Sequence, residues 1–337
     1  MTKVVIVGNT TWGTTLAIIL ARNGVSTTLL CRKQDDVDLL RSDGQNKRFL
    51  EGVAFPGDLH ISADWIEAIG NSEIILFAVP SKTLRENAQT VATIMSAPAV
   101  IVSATKGLDS GTGTRMTSIL AEEISPEYIK ALVAISGPNL AKEIADGKPA
   151  TTVIASDMVT IAEELSVLFR SSAFRPYVSS DLIGVELAGA MKNVIALGAG
   201  VCDGLDYGIN AKAAFINRGL AELIRLGVAL GANALTFSGL AGLGDIMATS
   251  FSPLSRNRGA GERIARGESA TMVRASSDNV IEAFETVPAC LKLAESVAID
   301  MPITKAVYKI LFENAVPADV ATELMERDGY YEWNGLS

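Results

Sequence analysis

The chain opens with an unbroken apolar run, Val4-Val5-Ile6-Val7, that stops at Gly8. A short β-branched run of this kind suits a strand buried on both faces, as in a parallel sheet. A turn follows at Gly8-Asn9-Thr10-Thr11-Trp12-Gly13. From Thr14 the residues Leu16, Ile19 and Leu20 recur at helical spacing as far as Asn23-Gly24, which can end a helix with a left-handed residue. A second strand, Ser26 to Cys31, ends in Arg32-Lys33. Strand, glycine turn, helix, strand commits the opening to a βαβ unit. The helix start around Trp12-Gly13 then offers N–H groups and a positive dipole end to a phosphate, and in this arrangement the phosphate belongs to a dinucleotide.

The turn carries glycine at its first and last positions, Gly8 and Gly13, but Thr10 in the middle. A β-carbon there stands where backbone approaches the pyrophosphate, so either the loop shifts or the hydroxyl bonds a phosphate oxygen. Glycine at this position is expected to tighten the nucleotide. Gly8, Thr10, Thr11, Trp12 and Gly13 are the first cofactor-binding candidates. The end of the second strand lacks the acid that would accept a ribose 2′-hydroxyl and carries Arg32 and Lys33 instead. Two cations suit a 2′-phosphate, which favours NADPH over NADH.

Composition narrows the remaining chemistry. At 337 residues the chain is long for one core, so two domains are expected. A formal net charge of −9 argues against a nucleic-acid partner. No apolar stretch reaches the roughly 18 residues that span a bilayer, and the amino terminus begins with a strand, so a cytoplasmic protein without a membrane span is expected. Cys31, Cys202 and Cys290 are far apart and read as reduced thiols without metal-ligand spacing. His60 is the only histidine and lies in a short strand-like piece, which removes serine triads and histidine-rich metal sites. Lysine remains available for proton transfer.

Apolar runs at Glu73 to Val79, Ala99 to Ser103 and Leu132 to Ile135 predict further buried strands, with helices at Lys82 to Met95 and Thr114 to Glu123 between them. Thr151 to Ala155 and Phe174 to Val178 continue the alternation around a helix from Met158 to Phe169. The expected fold is α/β, a doubly wound, Rossmann-like, mostly parallel sheet over residues 1–180. Ligand contacts belong at the strand carboxyl ends: Val79-Pro80-Ser81, Ala104 to Gly107 and Ser136 to Asn139. From Asp181, a helix cap, long helical stretches take over at Leu182 to Ala199, Asn210 to Leu230, Val280 to Ala298 and Ile303 to Phe312, predicting an all-α substrate-binding domain over 181–337. Glycine and alanine crowd Ala188 to Gly204, which allows close helix packing.

One lysine interrupts the small, apolar helix Val185 to Ile195. Lys192 is therefore either salt-bridged and structural or catalytic, since a buried ammonium needs a partner. Gly239-Leu240-Ala241-Gly242-Leu243-Gly244-Asp245 presents a carboxylate after a flexible glycine run. Pro253-Leu254-Ser255-Arg256-Asn257-Arg258 follows with cations and hydrogen-bond donors that match phosphate oxygens.

With these segments in order, the chain resembles the NAD(P)-dependent glycerol-3-phosphate dehydrogenases of the bacterial type. The resemblance runs through Trp12-Gly13, Phe77 to Ser81, Ala104 to Leu108, Gly137 to Asn139 with Ala141-Lys142-Glu143, and Met191 to Val194. It continues through Asn210 to Ala214, Gly239 to Asp245, Ser252 to Arg258 and Met301 to Thr304. It implies reversible reduction of dihydroxyacetone phosphate to sn-glycerol 3-phosphate for phospholipid synthesis. Lys192 is then the general acid or base, with Asp245 and Lys106 beside it. Gly137, Asn139, Ser255, Arg256 and Asn257 join them at the substrate, and Lys106, Ala141, Arg256, Val280 and Glu282 join the cofactor contacts. Departures are Thr10, Asn139 where serine is commoner, and Gln45 where a histidine is expected. A related dehydrogenase acting on another small phosphorylated ketone, and a non-catalytic dinucleotide sensor, are the alternatives. A homodimer stays open, as does the role of the aromatic tail from Gly329 to Ser337.

Overall fold

The computed structural model describes residues 2–70, 72–277 and 280–327. Tyr330, Tyr331 and Trp333 of the aromatic tail lie outside the described residues. The chain divides into two compact units, Met1–Lys106 with Arg115–Val185, and Gly107–Thr114 with Glu186–Ser337.

In the first unit eight strands form one sheet: β1 (Lys3–Val7), β2 (Ser26–Leu30), β3 (Leu59–Ser62), β4 (Ile74–Phe77), β5 (Ala99–Ser103), β6 (Ile129–Ser136), β7 (Ala150–Ala155) and β8 (Phe174–Ser179). Their order is β3-β2-β1-β4-β5-β6-β7-β8. Every pairing is parallel except β6 with β7. The fold is thus a doubly wound, mostly parallel sheet. Helices α1 (Thr11–Arg22), α2 (Gln34–Asp43), α3 (Lys47–Leu50), α4 (Trp65–Gly70), α5 (Ser81–Ile94), α6 (Met116–Glu123), α7 (Ala141–Ala145) and α8 (Val159–Phe169) connect the strands. Alternation along β1 divides the core. Val4 and Ile6 pack with Leu16 and Leu20 of α1 and Leu165 and Phe169 of α8, whereas Val5 and Val7 pack with Leu84, Ala88 and Val91 of α5 and Ile119 and Leu120 of α6.

Among the described residues the regular elements of the second unit are helices: the body of α9 (Leu182–Gly204), then α10 (Gly208–Ala229), α11 (Ala234–Ser238), α12 (Asp245–Phe251), α13 (Arg256–Ala265), α14 (Ala270–Ala275), α15 (Ala283–Ser296), α16 (Pro302–Phe312) and α17 (Pro317–Met325). The Asp181 carboxylate caps α9 by accepting from the Gly184 N–H at 2.8 Å. Small residues then let backbones meet. A β-carbon at Gly261 of α13 would stand 1.9 Å from the Leu197 carbonyl of α9, and one at Gly200 1.9 Å from the Arg258 carbonyl. By length and mean hydropathy (1.4), α9 could cross a bilayer, although 89% of the relevant window is buried inside the protein. The expectation that no stretch passes this test is corrected: Glu186 and Lys192 interrupt the apolar run, but the average over the helix stays high.

A second anchor joins α10 to α16. Glu222 is 2% exposed, and its carboxylate accepts from the Ile303 N–H, from the Thr304 N–H at 3.1 Å and from the Thr304 hydroxyl at 3.2 Å. These groups open α16 just after Pro302, so a side chain from another helix supplies the cap and explains the Met301 to Thr304 segment. Burial pushes the Glu222 carboxyl up to about 7, against the lowering effect of the N–H groups it accepts from.

Candidate active site

The glycine turn holds itself together. Gly8 has φ +114, and a β-carbon there would lie 2.9 Å from the Ala78 carbonyl; one on Gly13 would lie 2.1 Å from the Gly8 carbonyl. Both positions therefore require glycine. Thr10 does not, because its φ is −71, and it is the N-cap of α1. Its hydroxyl accepts from the Gly13 N–H at 3.1 Å and donates to the Ala78 carbonyl at 2.7 Å. In this structure both bonds of the Thr10 hydroxyl go to protein, its hydrogen to the Ala78 carbonyl and its oxygen to the Gly13 N–H. The Gly13 N–H, expected to face the pyrophosphate, is likewise turned inward. Buried Asn46 finishes the turn by donating to the Asn9 carbonyl at 3.0 Å and the Thr14 hydroxyl at 2.8 Å.

The turn still fits a dinucleotide. The indole N–H of Trp12 is buried and has no acceptor among the described residues, which suits an oxygen-rich group at the same turn. Arg32 follows β2 and pairs with Glu86 of α5 at 3.0 Å, while Lys33 is the N-cap residue of α2. At the carboxyl end of β5, the Lys106 ammonium donates to the Gly137 carbonyl at 2.8 Å. Gly137, at φ +154, lies close over β7, where its β-carbon would come 3.0 Å from Thr152 Cα. Asn139 fastens the same loop to β7: its amide donates to the Thr151 carbonyl at 2.9 Å and accepts from the Thr152 hydroxyl at 3.0 Å. Ala141 begins α7.

In the second unit Lys192 sits on α9 among Ala188, Ala190, Met191, Val194 and Ile195, each at most 2% exposed. Its ammonium donates to Asp245 Oδ1 at 2.5 Å and to the Thr249 hydroxyl at 3.0 Å. Lys192 keeps 11% of its side chain exposed and Asp245 only 2%. The stretch before Asp245 is ordered, contrary to its reading as flexible. Leu240–Gly244 forms a π-helical turn, and a β-carbon at Gly242 would meet the Phe237 carbonyl at 2.0 Å. That turn feeds directly into α12, so Asp245 and Thr249, one helical turn apart, both face the ammonium. Thr249 was not among the predicted residues; its i,i+4 spacing from Asp245 is the signal that would have found it.

The segment after α12 is also helical. Ser255 caps α13 by accepting from the Arg258 N–H at 3.2 Å. Asn257, 3% exposed, donates to Asn193 Oδ1 at 2.9 Å and to Glu282 at 3.2 Å, and accepts from the Ala283 N–H at 3.0 Å. Arg256 reaches the other oxygen of Glu282 at 2.7 Å and keeps 47% of its side chain exposed. Val280 is 36% exposed. Asn257 thus ties the residue after Lys192 to the residue after Arg256's partner. A second cluster braces this frame: Asp203 of α9 accepts from Lys212 at 2.8 Å and from Arg258 at 2.6 Å. Sequence reading did not single out Asn193, whose partner Asn257 lies 64 residues away, or Asp203, which draws Arg258 from 55 residues away and Lys212 from nine.

Comparison with known proteins shows the family. The family model described as the NAD-dependent glycerol-3-phosphate dehydrogenase N-terminus matches residues 3–162, and the model of the C-terminus matches residues 181–322. The chain belongs to this family. It is 44% identical over 336 residues to a glycerol-3-phosphate dehydrogenase [NAD(P)+] of Dehalococcoides mccartyi, covering 99% of this chain and 94% of that protein. It is 41% identical to the enzyme of the same name from Chlorobium chlorochromatii, covering 96% and 98%. A crystal structure of glycerol-3-phosphate dehydrogenase from Coxiella burnetii superposes with a TM-score of 0.91 at 35% identity, over 97% of this chain and 99% of that one.

Proposed function

We propose that this protein is an NAD(P)-dependent glycerol-3-phosphate dehydrogenase that reversibly reduces dihydroxyacetone phosphate to sn-glycerol 3-phosphate, with NADPH preferred. The single observation that carries this reading is the nearly buried ammonium of Lys192 held on Asp245 and Thr249. Bound NAD(P)H supplies the hydride for the ketone carbon. As that carbon is reduced, charge develops on the carbonyl oxygen, and Lys192 donates a proton to it; in the oxidative direction the amine accepts the proton from the hydroxyl. General acid catalysis of this kind contributes about 10²–10⁴ in rate. Asp245 and Thr249 keep the amine aimed and leave it little freedom to lose on reaching the transition state.

Arg256 and the Ser255 hydroxyl are proposed phosphate ligands. The exposed guanidinium can exchange Glu282 for phosphate oxygens, and Ser255, whose oxygen accepts at the helix start, keeps its hydrogen to donate. Asn257 is proposed at the substrate end of the same network. Lys106, Gly137 and Asn139 are the proposed contribution of the strand ends to substrate binding. Gly8, Thr11, Trp12, Gly13, Arg32, Lys33, Lys106, Ala141, Arg256, Val280 and Glu282 are proposed for the cofactor, with Thr10 shaping the turn from behind. A dinucleotide sensor has no use for a desolvated lysine pair of this kind. Supply of glycerol 3-phosphate for phospholipid synthesis in the cytoplasm is the proposed setting. Loss of NADPH absorbance on adding dihydroxyacetone phosphate, with NADH run beside it, tests the reading. No loss with either cofactor, or faster loss with a different phosphorylated ketone, overturns it.

A further inference from the structure

We propose that Glu86 sets the balance between NADPH and NADH by supplying, from α5, the carboxylate that the end of β2 lacks. The inference rests on the reading of Arg32 as the residue that meets the adenosine 2′ position. β2 stops at Leu30, and Arg32-Lys33 follow where an acid for a ribose 2′-hydroxyl would stand. A carboxylate is nonetheless present, because Glu86 Oε2 lies 3.0 Å from Arg32 Nη2.

Its placement is dictated by packing. Leu84, Ala88 and Val91 of α5 share one buried cluster with Val5, Val7 and Leu30, so the inner face of α5 is fixed on β1 and β2. Glu86 lies on the outer face and is held beside the carboxyl end of β2. Its side chain is 68% exposed and that of Arg32 55%, so the pair contributes little to the fold. It stands, however, where the two cofactors differ.

The same carboxylate acts oppositely on the two. A free 2′-hydroxyl can donate to Glu86 while Arg32 stays on its partner. A 2′-phosphate taken up by Arg32 brings nearly two negative charges to roughly 5 Å from the Glu86 carboxylate, a repulsion that in water at moderate salt weakens binding about 4- to 10-fold. Glu86 accordingly restrains a preference for NADPH that Arg32 and Lys33 would otherwise make steep, and keeps NADH usable.

The test is a set of NADPH and NADH dissociation constants, from quenching of protein fluorescence, for the wild type, Glu86→Gln and Arg32→Ala at low and high salt. Glu86→Gln is expected to tighten NADPH about 4- to 10-fold without tightening NADH, and the gain is expected to shrink in high salt. Arg32→Ala is expected to weaken NADPH much more than NADH. If Arg32→Ala behaves so while Glu86→Gln leaves the cofactor ratio unchanged, the proposal alone is overturned. A ratio shifted toward NADH also overturns it, because Glu86 would then be steering Arg32 onto the phosphate. If Arg32→Ala affects both cofactors alike, the reading of Arg32 fails and takes the proposal with it.

Discussion

Replacing Thr10 by valine isolates one hydroxyl. Valine keeps the branched shape and suits the backbone at φ −71, so only the oxygen is lost. Two partners are stranded: the N–H of buried Gly13 and the carbonyl of Ala78, which is 4% exposed. Loss of the cap is worth about 1 kcal/mol, and an unsatisfied buried carbonyl adds about 1–2 kcal/mol. A total of roughly 2–3 kcal/mol in a unit of this size lowers Tm by about 4–12 °C. Calorimetry of Thr10→Val beside Thr10→Ser reads the effect, since serine retains both bonds. Serine keeps both protein bonds of the hydroxyl, so Thr10→Ser is expected to leave the NADPH dissociation constant unchanged. Thr10→Gly weakens nucleotide binding by loosening the turn, the reverse of what a comparison of glycine patterns suggests. A Tm for Thr10→Val within about 1 °C of wild type, or tighter NADPH binding by Thr10→Gly, would refute the reasoning.

Two further outcomes follow from the packing. Glu222 binds its proton more tightly in the folded chain, at about 7, than when unfolded near 4.3, so the folded state holds the extra proton between those values and stability falls as pH rises through them. Denaturant unfolding should show a loss on the order of 2–3 kcal/mol between pH 4.5 and 8 that is absent in Glu222→Gln; parallel pH profiles would contradict this. Gly261→Ala puts a methyl group 1.9 Å from the Leu197 carbonyl, so α13 must move away from α9 and stretch the Asn193–Asn257 bond. The variant is expected to lose about 1–3 kcal/mol of stability together with substrate affinity, measured as a raised KM; unchanged values for both would show that the contact yields freely.

The sheet was legible in the sequence because buried parallel strands carry continuous apolar runs, and Ala99 to Ser103 appears at its predicted bounds. The ends of α8 and α16 lie within a residue of their predicted positions for the related reason that their periodicity is long. Short helices such as α3 and α7 have too few turns to show a period. Gly239 to Gly244 looked flexible because glycine signals conformational freedom, while the close approach of the Phe237 carbonyl that demands Gly242 is a tertiary fact. Ser255 looked like a ligand and is also a cap; both roles use the same oxygen chemistry, and only the start of α13 reveals the second. Nothing in the sequence singles out Glu222, since its three donors lie at least 81 residues away. The Lys192 partners divide in the same way: Asp245 stood out beside glycines, whereas Thr249 needed the helix that begins at Asp245.

The role of Lys192 reduces to whether its amine moves a proton, and steady-state turnover of Lys192→Ala with saturating NADPH and dihydroxyacetone phosphate decides that. Binding of NADPH is followed in the same preparation by fluorescence. We expect kcat to fall by about 10²–10⁴ with the NADPH dissociation constant within about twofold of wild type. Turnover within a few-fold of wild type would contradict proton transfer by this amine and leave the Lys192–Asp245 pair a structural brace.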